Sequence, residues 1–148
     1  MNLSFDKNSR ITCNFWTPSE NQPEEGEGIL VIKFEGVADN DAEFFGGYNY
    51  MLAMIGAGKS VWESGGLILD FTELEYSWGD NMSSVIGIAR EGGEWHEEEM
   101  PLAIAVSSKC SEGMISLINV EMGLKHENYL SNGLEEAFKL LEIKRKNV

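Results

Sequence analysis

Three stretches of the chain carry residue types that could do chemistry. Ala53-Met54-Ile55-Gly56-Ala57-Gly58-Lys59-Ser60 satisfies a relaxed phosphate-loop pattern, and Leu67 to Asp70 imitates the acidic strand that accompanies one. Phosphate binding of that kind needs a strand feeding the loop and a helix whose N-terminus faces the phosphates. Here a helical pattern precedes the glycines and a strand follows, so Lys59 reads as an exposed lysine at a helix end. Trp95-His96-Glu97-Glu98-Glu99 and Lys125-His126-Glu127 each hold one histidine, without the paired spacing of a metal motif. Both histidines read as solvated. No Gly-x-Ser-x-Gly nucleophile elbow occurs. The third stretch, Ser77-Trp78-Gly79-Asp80, joins a strand to a helix. Asp80 there reads as a helix N-cap, or with Trp78 as a partner-reading surface.

The elements that must position these residues follow from hydrophobic period. Ile11 to Trp16 and Ile29 to Phe34 are strands, the second closing at Gly36, with a polar turn that makes them a hairpin. Asn40 and Glu43 have capping-box spacing. Phe45, Tyr48, Leu52 and Ile55 form the apolar stripe of the helix that follows, although Gly46 and Gly47 cost it about 1 kcal/mol each. Gly65-Gly66 ends that segment. Leu67 to Phe71 and Leu102 to Val106 are continuous apolar runs, expected of strands covered on both faces. Between them a helix buries Met82, Val85, Ile86 and Ala89. A helix from Ser111 carries Ile115, Ile118 and Met122. A short extended piece at Tyr129-Leu130 precedes a second capping box, Asn132 with Glu135. The last helix buries Leu134, Ala137, Phe138 and Leu141, and Lys144, Arg145 and Lys146 sit at its negative end.

The order is β-β-α-β-α-β-α-β-α, one α/β domain over 1–148 with a mixed, mostly parallel sheet covered by helices. Residues 1–10 read as a flexible, polar start without an apolar signal core. Of 148 residues, 43% are hydrophobic, enough for one core. Eleven basic against 25 acidic residues give a net charge of −14. That charge repels phosphate backbones and anionic membranes, and it steers a basic protein inward. No run has the length of a membrane span, and the chain reads as cytoplasmic. Cys13 and Cys110 fit no metal spacing; Cys13 reads as a small buried hydrophobe. No metal or cofactor is expected.

Local phrases resemble the STAS domain, the SpoIIAA-like fold of the anti-sigma-factor antagonists of bacteria. Leu67-Ile68-Leu69-Asp70-Phe71-Thr72-Glu73-Leu74-Glu75-Tyr76 matches the first half of the family's strand motif. Gly123-Leu124, Tyr129-Leu130 and Leu134-Glu135-Glu136-Ala137 match its closing pattern. The resemblance runs from about Ile11 onward. It departs at the family's Asp-Ser-Ser-Gly turn, where Ser77-Trp78-Gly79-Asp80-Asn81-Met82-Ser83-Ser84 stands. Gly79 or Asp80 takes the place of the phosphorylated serine.

Together these features predict a non-enzymatic interaction domain. It holds a basic protein through Trp78, Asp80, Glu94, Trp95, Glu97, Glu98 and Glu99, either as an anti-sigma-antagonist-like regulator phosphorylated at Ser77 or Ser83, or as an antitoxin or immunity protein. The alternative is an enzyme or small-ligand binder with a pocket at the Trp78–Asp80 loop.

Overall fold

The computed structural model describes residues 10–18, 28–38, 46–62, 64–92 and 99–146. Five strands form one sheet in consecutive order: β1 (Ile11–Trp16), β2 (Ile29–Ala38), β3 (Gly66–Tyr76), β4 (Leu102–Val106) and β5 (Leu130–Asn132). β1 pairs antiparallel with β2, and every later neighbour is parallel. Four helices accompany them: α1 (Gly46–Val61), α2 (Asn81–Arg90), α3 (Ser111–Ser116) and α4 (Leu134–Lys146).

The strand order never reverses, and this dictates where the helices lie. Right-handed crossovers that always step to the next strand in one direction place every connecting helix on the same face. The α1 residues Tyr48, Met51 and Ile55, the α2 residues Met82, Val85, Ile86 and Ala89, and Met114 of α3 accordingly share one core with Ile32, Phe34, Leu67, Leu69, Phe71, Leu102 and Ile104. The opposite face is left to α4, which follows the last strand and buries Ala137 and Leu141 against Val31, Ile68, Ala103 and Ala105. β4 is buried at all five positions because it is covered from both sides.

Several elements depart from the sequence reading, each for a local reason. β2 continues past Gly36 to Ala38, still paired with β3 up to Tyr76. β3 itself runs beyond Phe71, because a register shift opposite Lys33–Glu35 restores pairing after one extra residue. In α1 the buried stripe takes Met51, and Leu52 is only half-buried; Asn40, Glu43 and Phe45 lie outside the described residues. The helix from Ser111 changes at Leu117 into a π-helical turn, Leu117–Glu121. Ahead of that turn the buried stripe is Met114, Leu117 and Ile118, at ordinary i, i+3, i+4 spacing, which leaves Ile115 one position off the stripe and exposed. Asn132 is the last residue of β5, opposite Val106, and the Gly133 carbonyl accepts the Ala137 amide at 3.2 Å, across the first turn of α4.

The phosphate-loop pattern Ala53–Ser60 lies wholly within α1. Lys59 is half-buried and not exposed: its Nζ donates to the carbonyls of Ile88 (2.7 Å) and Glu91 (2.5 Å), satisfying the C-terminal end of α2. No helix among the described residues is long and apolar enough to cross a membrane.

Both cysteines are free thiols. Burial pushes the Cys13 thiol up to about 12. Cys110, buried, also has a raised pKa and donates to the Phe71 carbonyl at 3.4 Å. Since the thiolate is the reactive species, neither residue is expected to react with a disulfide reagent at pH 8 in the native protein. Titration of the thiols with and without urea checks this, and prompt native-state labelling of either would contradict it.

Candidate functional site

The functional residues that the sequence suggests divide between two ends of the sheet. In a parallel sheet the turn after β3 and the turn before β4 lie at opposite edges, separated here by the length of α2. Ten residues at 1.5 Å each make that about 15 Å. Trp78 and Asp80 sit at the C-terminal edge. Glu99 sits at the N-terminal edge beside Arg90, the last residue of α2. Glu94, Trp95, Glu97 and Glu98 lie outside the described residues.

Glu99 is not a bare member of an acidic cluster. It pairs with the Arg90 guanidinium and accepts the Tyr129 hydroxyl at 3.0 Å. Two cations stand over the Tyr129 ring, Arg90 at 5.4 Å and Lys144 at 4.2 Å from its centroid. Although burial pushes the Glu99 carboxyl up, hydrogen bonds from Arg90 and Tyr129 hold it below the usual carboxylate range. Lys144 donates to the Leu102 carbonyl at 2.7 Å, and burial lowers its pKa to about 8. This group therefore ties α2, β4 and α4 together.

The Lys144 shift fixes the sign of a pH effect. A lysine whose folded pKa is lowered binds fewer protons when folded, between about 8 and its ordinary value of 10.5. Stability then rises with pH across that window. Cys13 and Cys110, both raised from an ordinary value of 9.0, oppose this above that value, so the net gain is expected between about pH 8 and 9. Urea denaturation over that range is the measurement. Lys144→Met should flatten the rise, and an unchanged slope in that variant would refute the assignment.

At the C-terminal edge the chain builds a cleft of about 280 Å³. One wall is the end of β3, Tyr76, with the loop that follows it: Ser77, Trp78, Gly79 and Asp80. The other comes from α3 and the π-helical turn: Gly113, Ser116, Leu117 and Glu121. Ligands of open α/β sheets characteristically bind outside the carboxyl ends of the strands, and π-turns recur at functional sites.

The loop is held from below at two points. The Tyr76 hydroxyl, on a side chain that is 3% exposed, donates to the Gly79 carbonyl at 2.7 Å. Burial, with the nearby Tyr48, Asp80 and Glu121, raises the Tyr76 pKa, so this donor keeps its proton. Gly79 has φ +122°, a left-handed conformation that costs a side chain strain. Gly113 lets α3 approach the loop backbone: a Cβ there would fall 2.7 Å from the Ser77 carbonyl oxygen.

On this base the side chains face outward. Trp78 is 68% exposed although it lines the cleft. Asp80 stands at the N-cap of α2, yet its carboxylate makes no capping bond. Its backbone is helical (φ −74°, ψ −17°), whereas a capping side chain needs an extended backbone to reach the N2 or N3 amide. The Asp80 carbonyl instead accepts the Ser83 amide at 3.0 Å and the Ser83 hydroxyl at 2.6 Å. Of the two candidate phosphorylation sites, Ser77 is exposed on the cleft wall, and the Ser83 hydroxyl is engaged in the first turn of α2.

The described lining thus brings together one indole, two serine hydroxyls and two carboxylates, with no basic side chain. Trp78 and Asp80 were legible in the sequence. Ser116 and Glu121 were not, because the spacing that signals them appears only once the π-turn is known. His126 is occupied locally, its amide donating to Asn119 Oδ1 at 3.0 Å. No metal-binding cluster occurs among the described residues.

Fold and site define an α/β domain with an open cleft at the carboxyl edge of its parallel strands. No protein-family model, curated protein or solved structure matches the chain.

Proposed function

We propose that this chain is a non-enzymatic interaction domain of STAS-like fold that holds a basic protein partner at the loop after β3. The observation that carries the reading is Trp78, a large aromatic side chain 68% exposed on a loop fixed by Tyr76, Gly79 and Gly113. Tryptophan is prominent among interface hot spots, and a fixed loop loses little freedom on binding. The STAS-like assignment draws support from the opening hairpin and the consecutive strand order.

Two versions share this surface. A regulator of the anti-sigma-antagonist type would be switched by phosphorylation, for which Ser77 is the better placed serine. A neutraliser would cover the basic active site of a toxin such as a nuclease. The net charge of −14 and the Trp78-Gly79-Asp80 sequence at the family's serine turn favour the neutraliser. The cleft of about 280 Å³ supports a second reading, a binder of a small ligand.

Affinity capture from the native host with mass spectrometry tests the proposal. The expected partner is basic, and its capture should weaken sharply with salt, because screening shortens charge interactions to roughly 8 Å at physiological ionic strength. A kinase as genomic neighbour would point to switching and a toxin to neutralisation. An acidic partner, or binding unaffected by salt, would overturn the electrostatic part of the reading.

A further inference from the structure

The cleft has a shape, a lining and a charge that specify more than a docking area. Its volume, about 280 Å³, lies below the roughly 300–1,000 Å³ of sites that enclose drug-sized ligands. It suits a single long side chain. Its two carboxylates come from different walls, Asp80 from the loop after β3 and Glu121 from the π-helical turn, and both are exposed. Asp80 is not spent on its helix. Trp78, 68% exposed, lines the same cleft, and the described lining residues include no Lys or Arg to neutralise the pair.

We propose that the cleft between the loop after β3 and the π-helical turn is a recognition pocket for one arginine side chain of the partner protein. This inference rests on the interaction reading above and names the group that is recognised. The guanidinium is planar, always charged and carries its donors in a fork, so it can stack on Trp78 while bonding carboxylates on two sides. The Ser77 and Ser116 hydroxyls can accept the remaining N–H groups. A lysine ammonium presents a compact point charge without a stacking face, and fits this arrangement less well.

The test titrates the protein with N-acetyl-arginine methylamide, followed by amide chemical shifts at constant ionic strength. N-acetyl-citrulline methylamide serves as the neutral isostere and N-acetyl-lysine methylamide as the charge control. Saturable shifts are expected at residues 77–80 and 113–121, with affinity at least tenfold weaker for citrulline and weaker for lysine. The double variant Asp80→Asn, Glu121→Gln, and separately Trp78→Ala, should each lose at least tenfold. All three positions are exposed, so an otherwise unchanged spectrum shows that the fold is kept. Equal binding of citrulline, shifts scattered over the acidic surface, or titrations unaltered in the double variant would overturn the pocket. If arginine fails here while partner capture still depends on Trp78, the interaction reading stands without the pocket. If capture ignores Trp78, that reading falls by itself.

Discussion

Gly113→Ala is expected to destabilise the protein by about 1–3 kcal/mol, the usual cost of forcing atoms into a closed contact. The added Cβ would lie 2.7 Å from the Ser77 carbonyl oxygen and 2.9 Å from the Ser77 carbonyl carbon. Both are backbone atoms in the loop that Tyr76 anchors, so no side chain can swing aside to make room. Either α3 retreats or the loop lifts, and both movements widen the cleft. Gly87→Ala supplies the contrast. It lies inside α2 with nothing within 4 Å of an added Cβ, so helix propensity should make it neutral or up to about 1 kcal/mol stabilising. Urea denaturation of the two variants separates a steric effect from a general intolerance of alanine. If Gly113→Ala proved as stable as the parent, the close approach would not be what positions the cleft wall.

The same loop shows which parts of this molecule can be read from sequence. β1 and β4 are legible to the residue, since each is an apolar run closed by Pro18 or opened after Pro101. The buried face of α2 is legible because its phase is undisturbed. β3 is longer than its apolar run, because beyond the register shift only Leu74 and Tyr76 face the core while Glu73 and Glu75 face solvent. The π-turn is the larger loss. An extra residue in one turn carries no signature in residue type, yet Ser116 and Glu121, five apart across it, both line the cleft. The first wall of the site is therefore visible as a strand-to-helix loop. The second arrives from some forty residues further along the chain, by packing alone.

Position within the sheet also sorts the acidic residues, which sequence treats alike. Glu99 is committed to Arg90 and Tyr129, so replacing it should cost stability before it costs binding. Asp80 and Glu121 have no such engagement in the cleft lining. On the proposed reading, net charge would supply attraction at a distance, and of these acidic residues Asp80 and Glu121 are the ones left to contact a partner.

Trp78→Ala is expected to break partner binding with almost no effect on folding. A side chain 68% exposed contributes little to the core, and surface substitutions of that kind usually change stability by within about 0.5 kcal/mol. If the indole is the desolvated centre of the interface, its truncation should cost about 2 kcal/mol or more of binding, roughly thirtyfold in affinity. Most of that loss should appear as faster dissociation, since the on-rate is set by the long-range charge that remains. Trp62→Ala is the matched comparison. Trp62 is also exposed, at 48%, but it stacks on Phe15 at 5.2 Å and stands at the opposite edge of the sheet. Its removal should leave the binding rates unchanged. Surface-plasmon kinetics with the captured partner measure both variants, with thermal melts as the folding control. A Trp78→Ala protein that dissociates as slowly as the parent, or a Trp62→Ala protein that loses as much, would move the interface away from the loop after β3.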